Sequence, residues 1–412
     1  MSRLTAFFLS LLVSISLIDA ALASTATETA PVAAPVQAKV ATAPISPNTV
    51  AQVLAGVTPP PGHPVVDRLV ATPEWREHRD WSQSKWIEVN RRLDAIRSWR
   101  DSELKIPTEA SKTLVYPFSG PDFLNADALF PNHPRMVFFS LERAGGLPDL
   151  TKLDGPQFAR MLADARHALS DIFERNYFIT SYMSQQLTTP QIKGTTPVIA
   201  LMMVLTGNRI LSIESIEPFP ELAAHYAQSG NAPGAKADPG AQTTPSAMAG
   251  KVPPGRPRIS LNGNRITFVR GNQAPRTLEY YGLDVTDQEL RWYPDFLETI
   301  VGKAQPATVL IKSASYLLHD RQFAGTRAMI LKTADIIVQD DTGVPLKFLK
   351  SAGMDVKLYG VYTAPIKPLT YATQPDLEVE FRAAGTVPPI NFPFGYHGKS
   401  GRSMLLLAQR RK

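Results

Sequence analysis

Thr308-Val309-Leu310-Ile311, then Gln322-Phe323-Ala324-Gly325-Thr326-Arg327-Ala328-Met329-Ile330-Leu331-Lys332-Thr333-Ala334, then Asp335-Ile336-Ile337-Val338-Gln339, is the stretch that decides the fold. Two short apolar runs flank a segment that carries Phe323, Ile330 and Leu331 inward. A strand, a helix and a second strand within about 30 residues form a βαβ unit, and its two strands must lie parallel. The run at Thr308 has no polar alternation, as expected of a strand buried on both faces.

Working outward, Leu114 to Phe118 and Met136 to Leu141 read as further strands that stop at polar or turn residues. Arg209 to Glu217, Arg276 to Asp284, Val356 to Tyr362 and Ser403 to Leu407 are also strand-like. Asn262-Gly263 between alternating residues at Ile259 to Phe268 predicts a type I′ hairpin, because both central positions of that turn need positive φ. Thr72-Pro73-Glu74 marks a helix start, and Trp86, Val89, Leu93 and Ile96 form its apolar stripe. Phe158, Leu162, Ala165, Leu169 and Ile172 define another helix, Val198 to Leu205 a short apolar one, and Leu290 to Val301 a third. The expected fold class is α/β: a mixed, partly parallel sheet with flanking helices and an attached antiparallel hairpin.

The chain opens with Arg3, an apolar run from Leu4 to Ile18 and the Ala21-Leu22-Ala23 end that a signal peptidase cuts. Residues 1–23 are therefore expected to be a signal peptide, with a mature protein beginning near Ser24 in the periplasm or outside the cell. No later stretch reaches about 18 uninterrupted apolar residues, so no transmembrane segment is expected. Residues 24–61 are rich in Ala, Pro, Thr and Val and read as a disordered tether. Residues 228–257 turn to Gly, Ala, Pro and Ser and read as a disordered insertion. On either side of it, 62–227 and 258–412 are expected to form one continuous domain.

The 412 residues include no cysteine, which excludes disulfides, thiolate metal sites and cysteine nucleophiles. The formal charge of +6 is spread along the chain without a basic stripe, so no nucleic-acid partner is expected. The seven histidines include no pair at the i, i+4 spacing of a zinc site, and neither metal nor other cofactor is expected. Gly398-Lys399-Ser400 imitates a phosphate loop but has Pro393 where the first glycine belongs. Ser82-Gln83-Ser84-Lys85 and Lys399-Ser400-Gly401 lack the third element of a penicillin-binding enzyme, and no G-x-S-x-G elbow occurs.

The remaining signal is positional. Ligands of an open α/β sheet bind outside the carboxyl ends of parallel strands. If the strands at Leu114, Met136, Thr308 and Asp335 are parallel neighbours, their exits share one edge. That edge then carries Ser119 and Asp122, Ser140 and Glu142, Lys312, Ser313 and Ser315 with His319, and Asp340 and Asp341. Such a rim suits a hydrolase of ester, amide or glycosidic bonds in envelope or environmental material. Ser119 or Ser313 would be the nucleophile, His319 the base and Asp340 or Asp341 its partner, with Asp122 across the cleft and Glu142 and Lys312 contacting substrate. Turn chemistry alone also selects Ser119-Gly120-Pro121-Asp122 and Asp340-Asp341-Thr342-Gly343. The rival expectation is a non-catalytic envelope protein that binds an envelope or extracellular polymer, or a partner protein, through the tryptophan helix and the basic tail. A methyltransferase or dehydrogenase would use Glu142 as a ribose contact, but its cofactor is missing outside the cell.

Overall fold

The computed structural model describes residues 43–104, 113–217, 263–290, 296–302, 306–363, 365–366, 369–397 and 402–411. The leader at 1–23, the insertion at 228–257 and the Gly398-Lys399-Ser400 motif lie outside the described residues.

The sheet is built from β1 (Thr113–Pro117), β2 (Arg135–Ser140), β3 (Asn208–Ile216), β4 (Gly263–Arg270), β5 (Arg276–Gly282), β6 (Ala307–Ile311), β7 (Ala334–Gln339), β8 (Met354–Gly360) and β9 (Met404–Arg410). Its order is β3-β4-β5-β2-β1-β6-β7-β9-β8. The block β5-β2-β1-β6-β7 is parallel throughout, and β3, β4, β9 and β8 each join by antiparallel pairing. The architecture is thus a mixed, partly parallel α/β sheet. Val137, Val115, Val309 and Ile337 stand side by side across four parallel strands, the layer that their uninterrupted apolar runs imply.

Helices cover both faces. α1 (Pro47–Ala55), α2 (Pro64–Val70), α3 (Pro73–Glu103), α4 (Phe123–Leu129), α5 (Gly155–Arg175), α6 (Thr180–Gln186) and α7 (Thr196–Leu205) precede β3. α8 (Asp287–Leu290), α9 (Phe296–Val301), α10 (Ala324–Thr333), α11 (Leu346–Ser351) and α12 (Pro375–Ala383) follow β5. Leu114, Met136, Leu278 and Val338 bury into a core shared with Leu54, Leu93, Phe158 and Ile199. On the other face Val115, Val137, Val309 and Ile337 join Leu297, Ile330, Leu349 and Leu377.

Two expectations fail. Residues 47–55, read as part of a disordered tether, form α1, with Ser46 accepting a hydrogen bond from Thr49 N and Gly56 closing the helix at φ 67. Side chains on one face of α3 hold the last carbonyls of α1: Trp75 Nε1 donates to Val53 O (3.3 Å) and Ser82 Oγ to Ala55 O (2.7 Å). His78 Nε2 meets Leu54 O at 2.8 Å. Helix ends leave carbonyls unpaired; His78 and Ser82 supply partners to Leu54 O and Ala55 O, while Val53 O also accepts from Gly56 N. The second failure is the hairpin at Asn262-Gly263. Gly263 lies inside β4, opposite Ile216 on one side and Tyr281 on the other, so both edges of the strand are already taken. The tertiary partners β3 and β5 override the local turn preference; residues 259–262 lie outside the described residues.

Candidate functional site

The exits of β1 and β6 meet where the strand order reverses, the place at which doubly wound sheets bind ligands. The backbone there is strained. Among the described residues the non-glycine positions with positive φ are Phe118, Asn176, Ser313, Ser315 and Tyr316, and all belong to this neighbourhood. Such conformations cost on the order of 1–3 kcal/mol each and persist only where surrounding contacts enforce them.

The enforcing contacts centre on Asp122, which caps α4 by accepting from Asn125 N at 3.1 Å. Its carboxylate lies 3.1 Å from Lys312 Nζ, with side chains only 2% and 1% exposed. Tyr116 Oη donates to Asp122 Oδ2 (3.0 Å), and Asn125 Nδ2 reaches both carboxylate oxygens and Asn176 Oδ1. Lys312 Nζ also donates to the Asn176 carbonyl, and Asn176 Nδ2 to Pro393 O (2.7 Å). Burial, then the charge of Asp122, pushes the Tyr116 phenol well above its ordinary range.

Beside this cluster Asp340 accepts from Ser313 N (2.9 Å), from Thr342 N (3.0 Å) and from Thr342 Oγ1. Burial raises its carboxyl. Gly395 lies so close that a Cβ there would fall 2.2 Å from Asp340 Oδ2. The next residue, Tyr396, donates to Ser313 O (2.8 Å) and meets Ser315 Oγ at 2.9 Å. Residues 393–397 are thus a strap laid over the exit of β6. Asp341 accepts from Tyr316 Oη at 2.6 Å, and burial, then the adjacent Asp340, pushes its carboxyl up to about 7. His319, held down to about 4 by burial, is neutral, and its Nε2 lies 3.2 Å from the Asp341 carbonyl. At the exit of β2, Ser140 Oγ donates to Glu142 Oε2 (2.6 Å), and burial raises that carboxyl.

The parallel strands therefore bring their exits to one edge, as the positional reading requires. Asp122 meets Lys312, Ser313 meets Asp340 through its N–H, and His319 meets Asp341 through a carbonyl. None of the hydrogen bonds made by His319 among the described residues goes to Ser119 or Ser313. Asp122, Lys312, Asp340 and Asp341 are buried rather than displayed on a rim. Ser119 Oγ, Ser313 Oγ and Asn125 Oδ1 are buried without a partner among the described residues, positions that suit ordered water or a small ligand. Sequence reasoning missed Tyr116, Asn125, Asn176, Tyr316, Gly395 and Tyr396. Tyr116 sits in an apolar strand run and Asn176 at a helix end, and only the Pro393-Phe394-Gly395-Tyr396 turn carried a local signal.

The same geometry bears on phosphate. In a nucleotide-binding sheet the pyrophosphate sits at the N-terminus of the first helix. Here the Asp122 carboxylate occupies that point, Gly120 faces Met183 Sδ at 3.1 Å from its Cβ position, and Thr195 N and Thr196 N bond the carbonyls of Arg143 and Ala144 above β2. Among the described residues no set of three His, Asp or Glu side chains is grouped to hold a metal ion.

A concavity of 360 Å³ lies between α3 and α5, lined by Glu77, Trp81, Lys85, Arg166, Phe173 and Glu174 among others. Trp81 stacks on Phe173 there, centroids 6.0 Å apart and planes at 15°. Trp75 and Trp99, by contrast, are core residues. Of the tail arginines, Arg410 donates to Leu331 and Ala334 carbonyls and Arg411 pairs with Asp355. No protein-family model, curated protein or solved structure matches the chain.

Proposed function

We propose that this is an exported envelope protein that works by binding a polymer, and that its carboxyl-edge cluster is a structural clasp rather than a hydrolytic centre. One observation carries the reading: at the switch point Asp122 and Lys312 neutralise each other in a buried network, and His319 is committed to a main-chain carbonyl. A general base must reach its nucleophile directly or through one water. The cleft between α3 and α5 supports the binding half of the proposal. The half-buried edge of Trp81 gives it an apolar wall for a sugar ring, and Glu77, Lys85, Arg166 and Glu174 suit hydroxyls around it.

The test is retention of the protein, produced from Ser24 onward, on insoluble peptidoglycan, chitin and cellulose. Retention on at least one of these, lost in Trp81→Ala that still folds by circular dichroism, is the expected result. No retention, or retention indifferent to Trp81, overturns it.

The orphan hydroxyl of Ser313, on a strained turn directly after a parallel strand, favours the hydrolase as a second reading. A fluorophosphonate probe separates the two. Labelling that disappears in Ser313→Ala supports the hydrolase, and absence of labelling supports the clasp.

A further inference from the structure

The sheet ends at β8, and the pairing of that strand reveals which of its groups face outward. Arg411 N donates to Gly353 O (3.4 Å) and Val361 N to Ser403 O (3.0 Å), so the bonded rungs between β8 and β9 fall on odd-numbered residues of β8. In an antiparallel pair bonded and non-bonded positions alternate. Met354, Val356, Leu358 and Gly360 therefore point their N–H and C=O away from β9. Gly360 confirms the alternation, because its N–H donates to Pro388 O at 2.8 Å on that outer side.

Beyond Gly360 the covering segment diverges from the strand and leaves a groove of 600 Å³. Five consecutive residues, Met354 to Leu358, line it. One face of a strand presents only alternate residues, so a consecutive lining means that the main-chain edge itself is the wall. Ala384, Val387, Pro388 and Leu346 line it as well. Among the described residues no main-chain group pairs with the outward rungs of Val356 and Leu358.

We propose that this groove binds a partner protein by strand addition, taking a single uncharged extended segment with small apolar side chains at alternate positions. A row of backbone donors and acceptors is matched by another extended backbone. The Pro388–Gly360 bond already makes one such rung at the end of the groove, with residues 384 and 386–388 lining it beside β8. The charges at the groove are spent on one another: Lys350 on Glu380, Arg411 on Asp355 and Lys357 on Glu103. An occupant therefore meets charges that are already paired, and the half-buried Val356, Leu358 and Val387 offer it apolar contact. This surface is separate from the cleft between α3 and α5, so either proposal can fail alone.

The experiment uses the protein from Ser24 onward and a fluorescein-labelled Thr-Val-Ser-Val-Thr-Val-Ser amide, followed by anisotropy. Saturable binding is expected, weaker by about tenfold or more both for the peptide N-methylated at alternate residues and for Val356→Pro. That proline removes an outward N–H and no rung to β9, a substitution that edge strands tolerate. If Val356→Pro unfolds, hydrogen exchange on the unsubstituted protein decides: peptide must slow the amides of residues 354–360. No anisotropy change up to millimolar peptide, equal binding of the N-methylated peptide, or protection elsewhere only, overturns the proposal. So does a concentration-dependent dimer that excludes the peptide, since the occupant is then a second copy.

Discussion

Asp122 and Lys312 stand on different strand exits, and both side chains are shut away from solvent. Removing one partner of a buried ion pair leaves an uncompensated charge, which costs about 3–5 kcal/mol. Lys312→Met and Asp122→Asn are each expected to lose stability on that scale in urea unfolding. The double variant should lose less than the sum, because neither charge is then stranded. Asp341 makes a separate prediction with pH. Its carboxyl is raised to about 7 in the fold and sits near 3.8 in the unfolded chain, so the folded state holds the proton more tightly. That stabilisation is complete below pH 4 and fades as pH rises toward 7. Asp341→Asn should remove this falling limb, seen as a variant-minus-wild-type stability difference that climbs between those pH values. The polar residues at the exits were legible from sequence because each ends an apolar run. Their partners were not, since a bond between Asp122 and Lys312 or between Tyr396 and Ser313 has no local spacing to betray it.

The α1–α3 pair shows what composition hides. Residues 24–61 average to a linker, yet Ser46, Pro47 and Gly56 stand where a helix needs a cap, a first-turn proline and a left-handed end. A search for caps rather than an average over the window finds that helix. Gly263 misleads in the opposite direction, because its local turn signal yields to strands on either side. Gly56 yields a prediction: it has φ 67, and an added Cβ would stand 2.9 Å from Ser82 Cβ. Gly56→Ala is therefore expected to lower the melting temperature markedly, by strain and by displacing the Ser82–Ala55 bond. An equivalent substitution at Gly353, also at positive φ but with open space around it, should cost less.

Across the molecule, His78, His133 and His319 are each held down to about 4, all chiefly by burial. Unfolded, each takes a proton near 6.5. Neutral burial therefore stabilises the fold above about pH 6.5, and that contribution is lost as pH falls toward 4. An acid titration of the melting temperature should drop through this window, and His78→Gln should flatten it. The parallel core was legible at this scale because uninterrupted apolar runs alternate with helices. The order of the outer strands was not. β9 follows β8 in the chain yet lies between β7 and β8, and each of its hydrogen-bonding edges is occupied. A chain delivered amino end first through a narrow exit consequently has no docking place for β8 until residues 404–410 have also emerged. Closure of that side of the sheet is thereby timed to the arrival of residues 404–410, the strand on which β8 docks.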